Sequence, residues 1–299
     1  MKQDNSSTSV LGCQPRLKSR RLGESAVAVW LERPQIQTEW DIDQVLAKGT
    51  TLIISGNTGM GKSWESKHLA IQSKLGGKWH NLQCRQLRPL YISLEFTDNQ
   101  MQKRVEKLAR VYSKDLDAIA DVEFLARKGS NFKLNTEEGK ENLFNELRKH
   151  KFEVLILDPL ALFIGGKLTD VDWNNKVEPV LNEIKKEFGC SIVLNHNFRK
   201  TQYVYGHSED MFSADRLKGL ADIIDRADSI ITFVAENQPR KIGDKSQRII
   251  VAKWICAPKT RDAEWELSPH RVQWDYNKAM FVTDNDLGWT PPVKAKRHR

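Results

Sequence analysis

The 299-residue sequence predicts an α/β fold with a mostly parallel central sheet, helices on both of its faces and a C-terminal antiparallel hairpin extension. Three observations carry this prediction. Short β-branched runs alternate with longer helical patterns, a glycine-rich octapeptide follows the first of those runs, and beyond residue 249 the runs lie too close together for crossovers.

The strand-like runs are 51–55, 90–94, 154–157, 192–194, 230–234 and 249–252. Between them, 62–75, 99–112, 136–150 and 173–188 carry helical patterning, with Asp98 and Asn135 expected as N-caps and Gly189 as a stop. Parallel strands need such crossovers, so the alternation implies a sheet covered on both faces. The runs 265–267, 271–276 and 280–283 then suggest the antiparallel extension. Asp170, Asp172 and Asn174 read as a polar loop, and no internal repeat is visible.

Residues 1–25 are expected to form a flexible basic tail, 26–285 a single α/β domain, and 286–299 a basic C-terminal tail. The four cysteines are far apart and form no CxxC pair, so a zinc site and a disulfide framework are both disfavoured and a cytoplasmic setting is expected. No apolar run approaches the roughly 18 residues of a membrane span, and no signal peptide is recognisable. The net charge of +8 suits a polyanionic partner and equally suits an ordinary basic surface. Of the nine tryptophans, Trp79, Trp254, Trp265 and Trp274 fall in or beside strand patterns and read as packing residues.

The octapeptide Gly56-Asn57-Thr58-Gly59-Met60-Gly61-Lys62-Ser63, followed by Trp64, matches the phosphate-binding loop G-x-x-x-x-G-K-[ST] between a strand and a helix start. Its backbone N–H groups can surround phosphates, the helix N-terminus favours their charge, Lys62 neutralises the outer phosphates, and Ser63 offers a hydroxyl to Mg²⁺. ATP and Mg²⁺ are therefore the expected cofactors. Such a site needs a carboxylate at the end of another buried strand. Asp158, after four apolar residues, is the candidate for the metal, and the competing reading is an aspartate capping a turn. Hydrolysis also needs a group to deprotonate water. Glu95, closing the run 90–94, is the candidate base, although a glutamate at a strand end is often merely solvated.

Together with these motifs, the segments Glu39-Trp40-Asp41-Ile42-Asp43, Gly49, Ser93-Leu94-Glu95, Leu157-Asp158-Pro159-Leu160 and Leu194-Asn195-His196-Asn197 with Arg199-Lys200 resemble the RepA-type plasmid replicative helicases, over about residues 38–283. The resemblance implies a RecA-like P-loop NTPase fold, Mg²⁺-dependent hydrolysis and a ring of subunits with each site between neighbours. It makes Glu95 the catalytic glutamate and His196 a sensor of the γ-phosphate. It also implies that the loop after His196 faces single-stranded DNA. Arg199, Lys200, Tyr203 and Arg216 suit that contact, since cations follow the backbone and rings stack on bases, while a plain solvated loop remains the alternative.

One position departs from the pattern. The family places a lysine and, two residues on, an arginine finger on a late strand, whereas Lys253-Trp254-Ile255 has the lysine and an isoleucine. Lys253 acting alone, Lys259 or Arg261 as substitutes, or a partner protein supplying the arginine are the readings left open. An ATP-driven helicase or remodeller on DNA is thus the leading expectation. The alternative is a slow RecA-like accessory or nucleotide-gated interaction protein.

Overall fold

The computed structural model describes residues 27–34, 37–166, 170–197, 221–242, 245–264, 267–275, 277–278 and 280–283. The chain divides into two compact units, Met1–Gln37 and Thr38–Arg299. The described part of the first is α1 (Val27–Glu32), whose Val27, Trp30 and Leu31 are exposed, with the Arg33 guanidinium 3.8 Å over the Trp30 ring.

The second unit opens with a small antiparallel pair, β1 (Trp40–Ile42) and β2 (Leu46–Ala47), and then β3 (Thr51–Gly56) leads through the phosphate loop into α2 (Lys62–Leu75). A short hairpin, β4 (Lys78–Trp79) with β5 (Leu82–Gln83), precedes β6 (Pro89–Ser93), α3 (Asp98–Val111), α4 (Leu116–Ile119) and β7 (Glu123–Ala126). After α5 (Glu137–Leu147) come β8 (Val154–Asp158), a 3-10 turn (Leu160–Phe163) and α6 (Asp170–Asp172). A π-helical turn (Trp173–Val177) runs into α7 (Glu178–Phe188) and β9 (Ser191–Asn197). The described C-terminal part holds α8 (Ala221–Arg226), β10 (Ser229–Ile242), β11 (Lys245–Thr260), β12 (His270–Asp275) and β13 (Met280–Thr283).

Among the described residues, nine strands form one sheet in the order β13-β12-β11-β10-β3-β9-β8-β6-β7. From β10 to β7 every neighbouring pair is parallel, and from β10 to β13 every pair is antiparallel. This is the α/β arrangement expected from the sequence, a mostly parallel sheet with an antiparallel C-terminal extension. Because successive strand residues face opposite ways, each central strand feeds two cores. Leu90, Ile92, Leu155 and Leu157 pack against Leu143, Phe144 and Leu147 of α5 and Leu181 and Ile184 of α7. Tyr91, Val154 and Ile156 pack on the opposite face against Leu69 and Ala70 of α2 and Met101 of α3.

The segment before the phosphate loop acts as a clamp. Buried Asp41 accepts from Arg85 Nη2 at 2.7 Å and Nε at 3.0 Å and from the Ser191 hydroxyl, while Ser191 Oγ in turn accepts from Gly49 N at 2.8 Å. The start of β9 is thereby fixed beside β3.

Several expectations are corrected. The N-cap of α3 is Thr97, reciprocally bonded to Gln100, and that of α5 is Thr136, which accepts from Gly139 N at 3.2 Å. Asp98 therefore falls inside α3, and Asn135 instead bonds both ways with the backbone of Gly165, at 2.9 and 2.7 Å. Asp170, Asp172 and Asn174 lie in helical turns rather than a loop. The antiparallel part begins at β10, earlier than expected, because β10 and β11 pair over most of their length as one long hairpin. Leu267 is not in a strand, and residues 265–266 lie outside the described residues.

Candidate nucleotide-binding site

The ends of β3, β6, β8 and β9 and the start of α2 border a cleft of about 440 Å³, where the carboxyl ends of parallel strands in α/β sheets usually present ligands. The phosphate loop forms one wall. Gly56 has φ +146° and a Cβ there would stand 2.7 Å from the carbonyl oxygen of Phe233, so the close approach of β10 requires glycine. Gly61 has φ +92°, and its missing Cβ would lie 2.8 Å from the Phe281 ring. Gly61 also caps α2 without any side-chain hydrogen bond, which leaves the first N–H groups of a 14-residue helix available to an anion.

Lys62 is buried, and its Nζ donates to the carbonyls of Gly56 and Asn57, each at 2.9 Å. An ammonium has three donors, so one remains for the cleft. Burial pushes the Lys62 pKa down to about 8, against the opposing pull of Asp158 and Glu95. Asp158 closes β8, almost fully buried, and Glu95 follows β6, exposed, with its backbone N–H on Ser93 Oγ at 3.2 Å. The register that pairs Ser93 with Asp158 sets these two carboxylates at adjacent strand ends.

Of the residues singled out from the sequence, Thr58, Gly59, Gly61, Lys62, Ser63, Trp64, Glu95, Asp158 and Lys253 all line the cleft. His196 is not among its lining residues. It lies on β9 opposite Ser55 of β3, with Nδ1 buried and unpartnered, and burial, aided by the charge of Lys62, lowers its pKa to about 4. Its neighbour Asn197 lines the cleft instead. Lys253 sits with its amine 5.1 Å over the Phe281 ring, facing the cleft of its own chain. Ile255 is wholly buried in the core, and both proposed substitutes are engaged elsewhere. Lys259 Nζ and Arg261 Nη2 donate to the Asp225 carbonyl at 2.6 and 2.7 Å. Arg199, Lys200, Tyr203 and Arg216 lie outside the described residues.

Sequence reasoning missed part of the wall. Arg104 of α3 lines the cleft, its guanidinium 4.1 Å over the Phe96 ring and 5.0 Å over Trp64. No local pattern marks it, since Phe96 precedes the Thr97 cap of α3 and Trp64 belongs to α2. Trp274 and Phe281, packed edge to face at 5.1 Å, roof the P-loop, so Trp274 is a cleft residue as well as a packing one.

These features fit a nucleotide with Mg²⁺. At Gly56 and Gly61 the glycine cradle has no space for side chains, the helix terminus is uncapped, and the Ser63 hydroxyl and Asp158 carboxylate are oxygen donors of the type Mg²⁺ takes. Among the described residues no group of three or more His, Cys, Asp or Glu side chains is placed to hold a metal ion by itself. No described helix is long and apolar enough to cross a membrane.

A family model described as an AAA domain matches residues 15–203. A search among curated proteins returns no match. Among solved structures, a KaiC-like protein from the hyperthermophilic archaeon Pyrococcus horikoshii is similar over 83% of this chain and 99% of that one, with 11% identity and a TM-score of 0.49.

Proposed function

The chain belongs to the AAA domain family, and from that membership and the composition of the cleft we propose that it is a Mg²⁺-dependent ATP hydrolase acting on DNA, as a hexameric helicase or remodeller. The observation that carries the reading is the convergence of Lys62, Ser63, Glu95 and Asp158, from separate parts of the chain, on one cleft at the uncapped start of α2.

In this reading the α2 N–H groups and Lys62 hold the phosphates and offset the charge that develops on them. Ser63 and Asp158 hold the cation, which supplies Lewis-acid polarisation of the phosphoryl oxygens when bound. Glu95 takes a proton from water as its oxygen bonds to the γ-phosphorus, the β–γ bond breaks, and ADP and phosphate leave. Lys253 and Arg104 add positive charge from the same chain. His196 serves as the neutral sensor beside the site, and the basic and aromatic residues Arg199, Lys200, Tyr203 and Arg216 contact single-stranded DNA. The net charge of +8 supports a nucleic-acid partner.

A second reading, slow turnover that awaits a partner's arginine, is favoured by two observations: Ile255 is buried where a finger is expected, and Arg261 is bonded to Asp225. Steady-state ATP hydrolysis with and without single-stranded DNA, for wild type and Glu95→Gln, separates the two. DNA-stimulated turnover lost by at least about a hundredfold in the variant supports the motor. Tight ATP binding with negligible turnover under both conditions supports the slow switch. Absence of ATP binding by the wild type overturns both.

A further inference from the structure

Beneath the cleft lies a lysine that neither the phosphate-loop motif nor the roles above account for. Lys67, one turn after Ser63 on α2, is fully buried, as is Tyr91 in the middle of β6. A buried ammonium is costly unless its hydrogen bonds are met. Here Nζ donates to the Ser63 carbonyl at 3.0 Å and to Tyr91 Oη at 2.6 Å, and it lies 4.1 Å from the Tyr91 ring and 4.8 Å from that of Phe96. Tyr91 Oη also bonds Asp158 Oδ2.

The direction of this chain is fixed by the donor inventory. As an ammonium Lys67 has no acceptor, so it donates to the phenol oxygen, and the phenol O–H in turn donates to the carboxylate. Asp158 Oδ2 is thereby engaged, and Oδ1 is left as the oxygen for a cation or its water. The other anchor of Lys67 is the backbone of Ser63, whose hydroxyl is the second candidate ligand. One connected path thus ties α2, β6 and β8 together at the two residues that would hold the metal.

We infer that Tyr91 and Lys67 are positioning residues that fix the Asp158 carboxylate, and its separation from Ser63, for the divalent cation of the nucleotide site. The inference rests on the reading of Ser63 and Asp158 as the metal-holding pair. Outer partners of this kind orient a ligand without touching the metal, and their loss typically weakens metal affinity about 10- to 100-fold.

The test uses the full chain, with Mn²⁺ as the probe cation and ADP as the nucleotide. Free Mn²⁺ is counted by electron paramagnetic resonance during titration of the ADP complex, and fluorescent-ADP affinity is measured separately in chelator. Tyr91→Phe keeps the ring and removes the relay. Lys67→Met keeps the packing and removes the cation. The expected result is Mn²⁺ affinity reduced about 10- to 100-fold in Tyr91→Phe and reduced in Lys67→Met, with metal-free ADP affinity within about twofold of wild type. Mn²⁺ affinity unchanged in both variants overturns the inference, and so does an equal fall in metal-free ADP affinity, which marks a general packing defect. A wild-type chain that fails to bind ADP with Mn²⁺ overturns the nucleotide-site reading itself.

Discussion

Gly61 shows how narrowly the phosphate loop is constrained. Its φ of +92° lies where an L side chain is strained by about 1–2 kcal/mol, and an added methyl would also meet the Phe281 ring, whose nearest atom stands 2.8 Å from the Cβ position. Gly61→Ala is expected to destabilise the fold by about 1–3 kcal/mol through strain and overpacking. It should also weaken ATP binding by at least about tenfold, because the first N–H groups of α2 turn away from the phosphates. Chemical denaturation and nucleotide titration check the two parts. Unchanged affinity would show that the loop tolerates displacement of its roof. At this scale the sequence was most informative. That Lys62, Ser63, Glu95 and Asp158 would meet at one cleft was legible because each sits in a local pattern, a glycine loop or a strand end, that carries its own reason. The pairing of Lys67 with Tyr91 was not, since nothing local tells a helix lysine that a phenol 24 residues later will face it.

At the scale of elements, Glu65 joins the phosphate-loop helix to the antiparallel extension. Its buried carboxylate accepts from Phe281 N at 2.6 Å and Trp79 Nε1 at 3.2 Å and bonds His80 Nε2 at 3.0 Å, linking α2 to the β4–β5 hairpin and β13. Burial alone raises its pKa, yet the bonds to His80 and Phe281 hold it below the usual carboxylate range. Glu65→Ala strands these buried groups, at about 1–3 kcal/mol each, so a loss on the order of 3 kcal/mol or more is expected, with weaker nucleotide binding as the roof loosens. Glu65→Gln keeps an acceptor for Phe281 and should lose less. Thermal unfolding of both variants measures the difference, and equal melting points for wild type and Glu65→Ala would remove the latch from the account. Element boundaries were only partly legible. Thr97 and Thr136 displaced the neighbouring Asp98 and Asn135 as caps because all four residues are polar and adjacent, and only backbone geometry decides which lies outside the helix. Strand β7 escaped notice because it is short and half-buried at the sheet edge.

For the molecule as a whole, two buried histidines predict an acid-sensitive fold. Burial lowers the pKa of His196 to about 4, and that of His270 falls to about 3 through burial with the nearby His80 adding to it. Both are near 6.5 in an unfolded chain. Below pH 6.5 the unfolded state therefore binds protons that the native state refuses, and stability falls as pH drops from about 6.5 toward 4. The midpoint of urea unfolding should decline between pH 7 and pH 5, before most carboxylates titrate. A flat profile over that interval would mean that these imidazoles are not held neutral. The α/β class and the parallel order were legible from alternation alone. The roof over the site was not, because Trp274 and Phe281 look like ordinary strand residues until the sheet folds β13 back toward α2.

That return has a consequence for synthesis. Glu65 and Phe281, which meet through a single hydrogen bond, are 216 residues apart. A ribosome adding about 5–20 residues per second needs about 10–40 seconds to travel between them. Throughout that interval the emerging chain displays its phosphate loop without the wall that completes it. Nucleotide capture should therefore begin only after β13 leaves the exit tunnel, and nascent chains stalled ahead of Phe281 should not yet retain ATP.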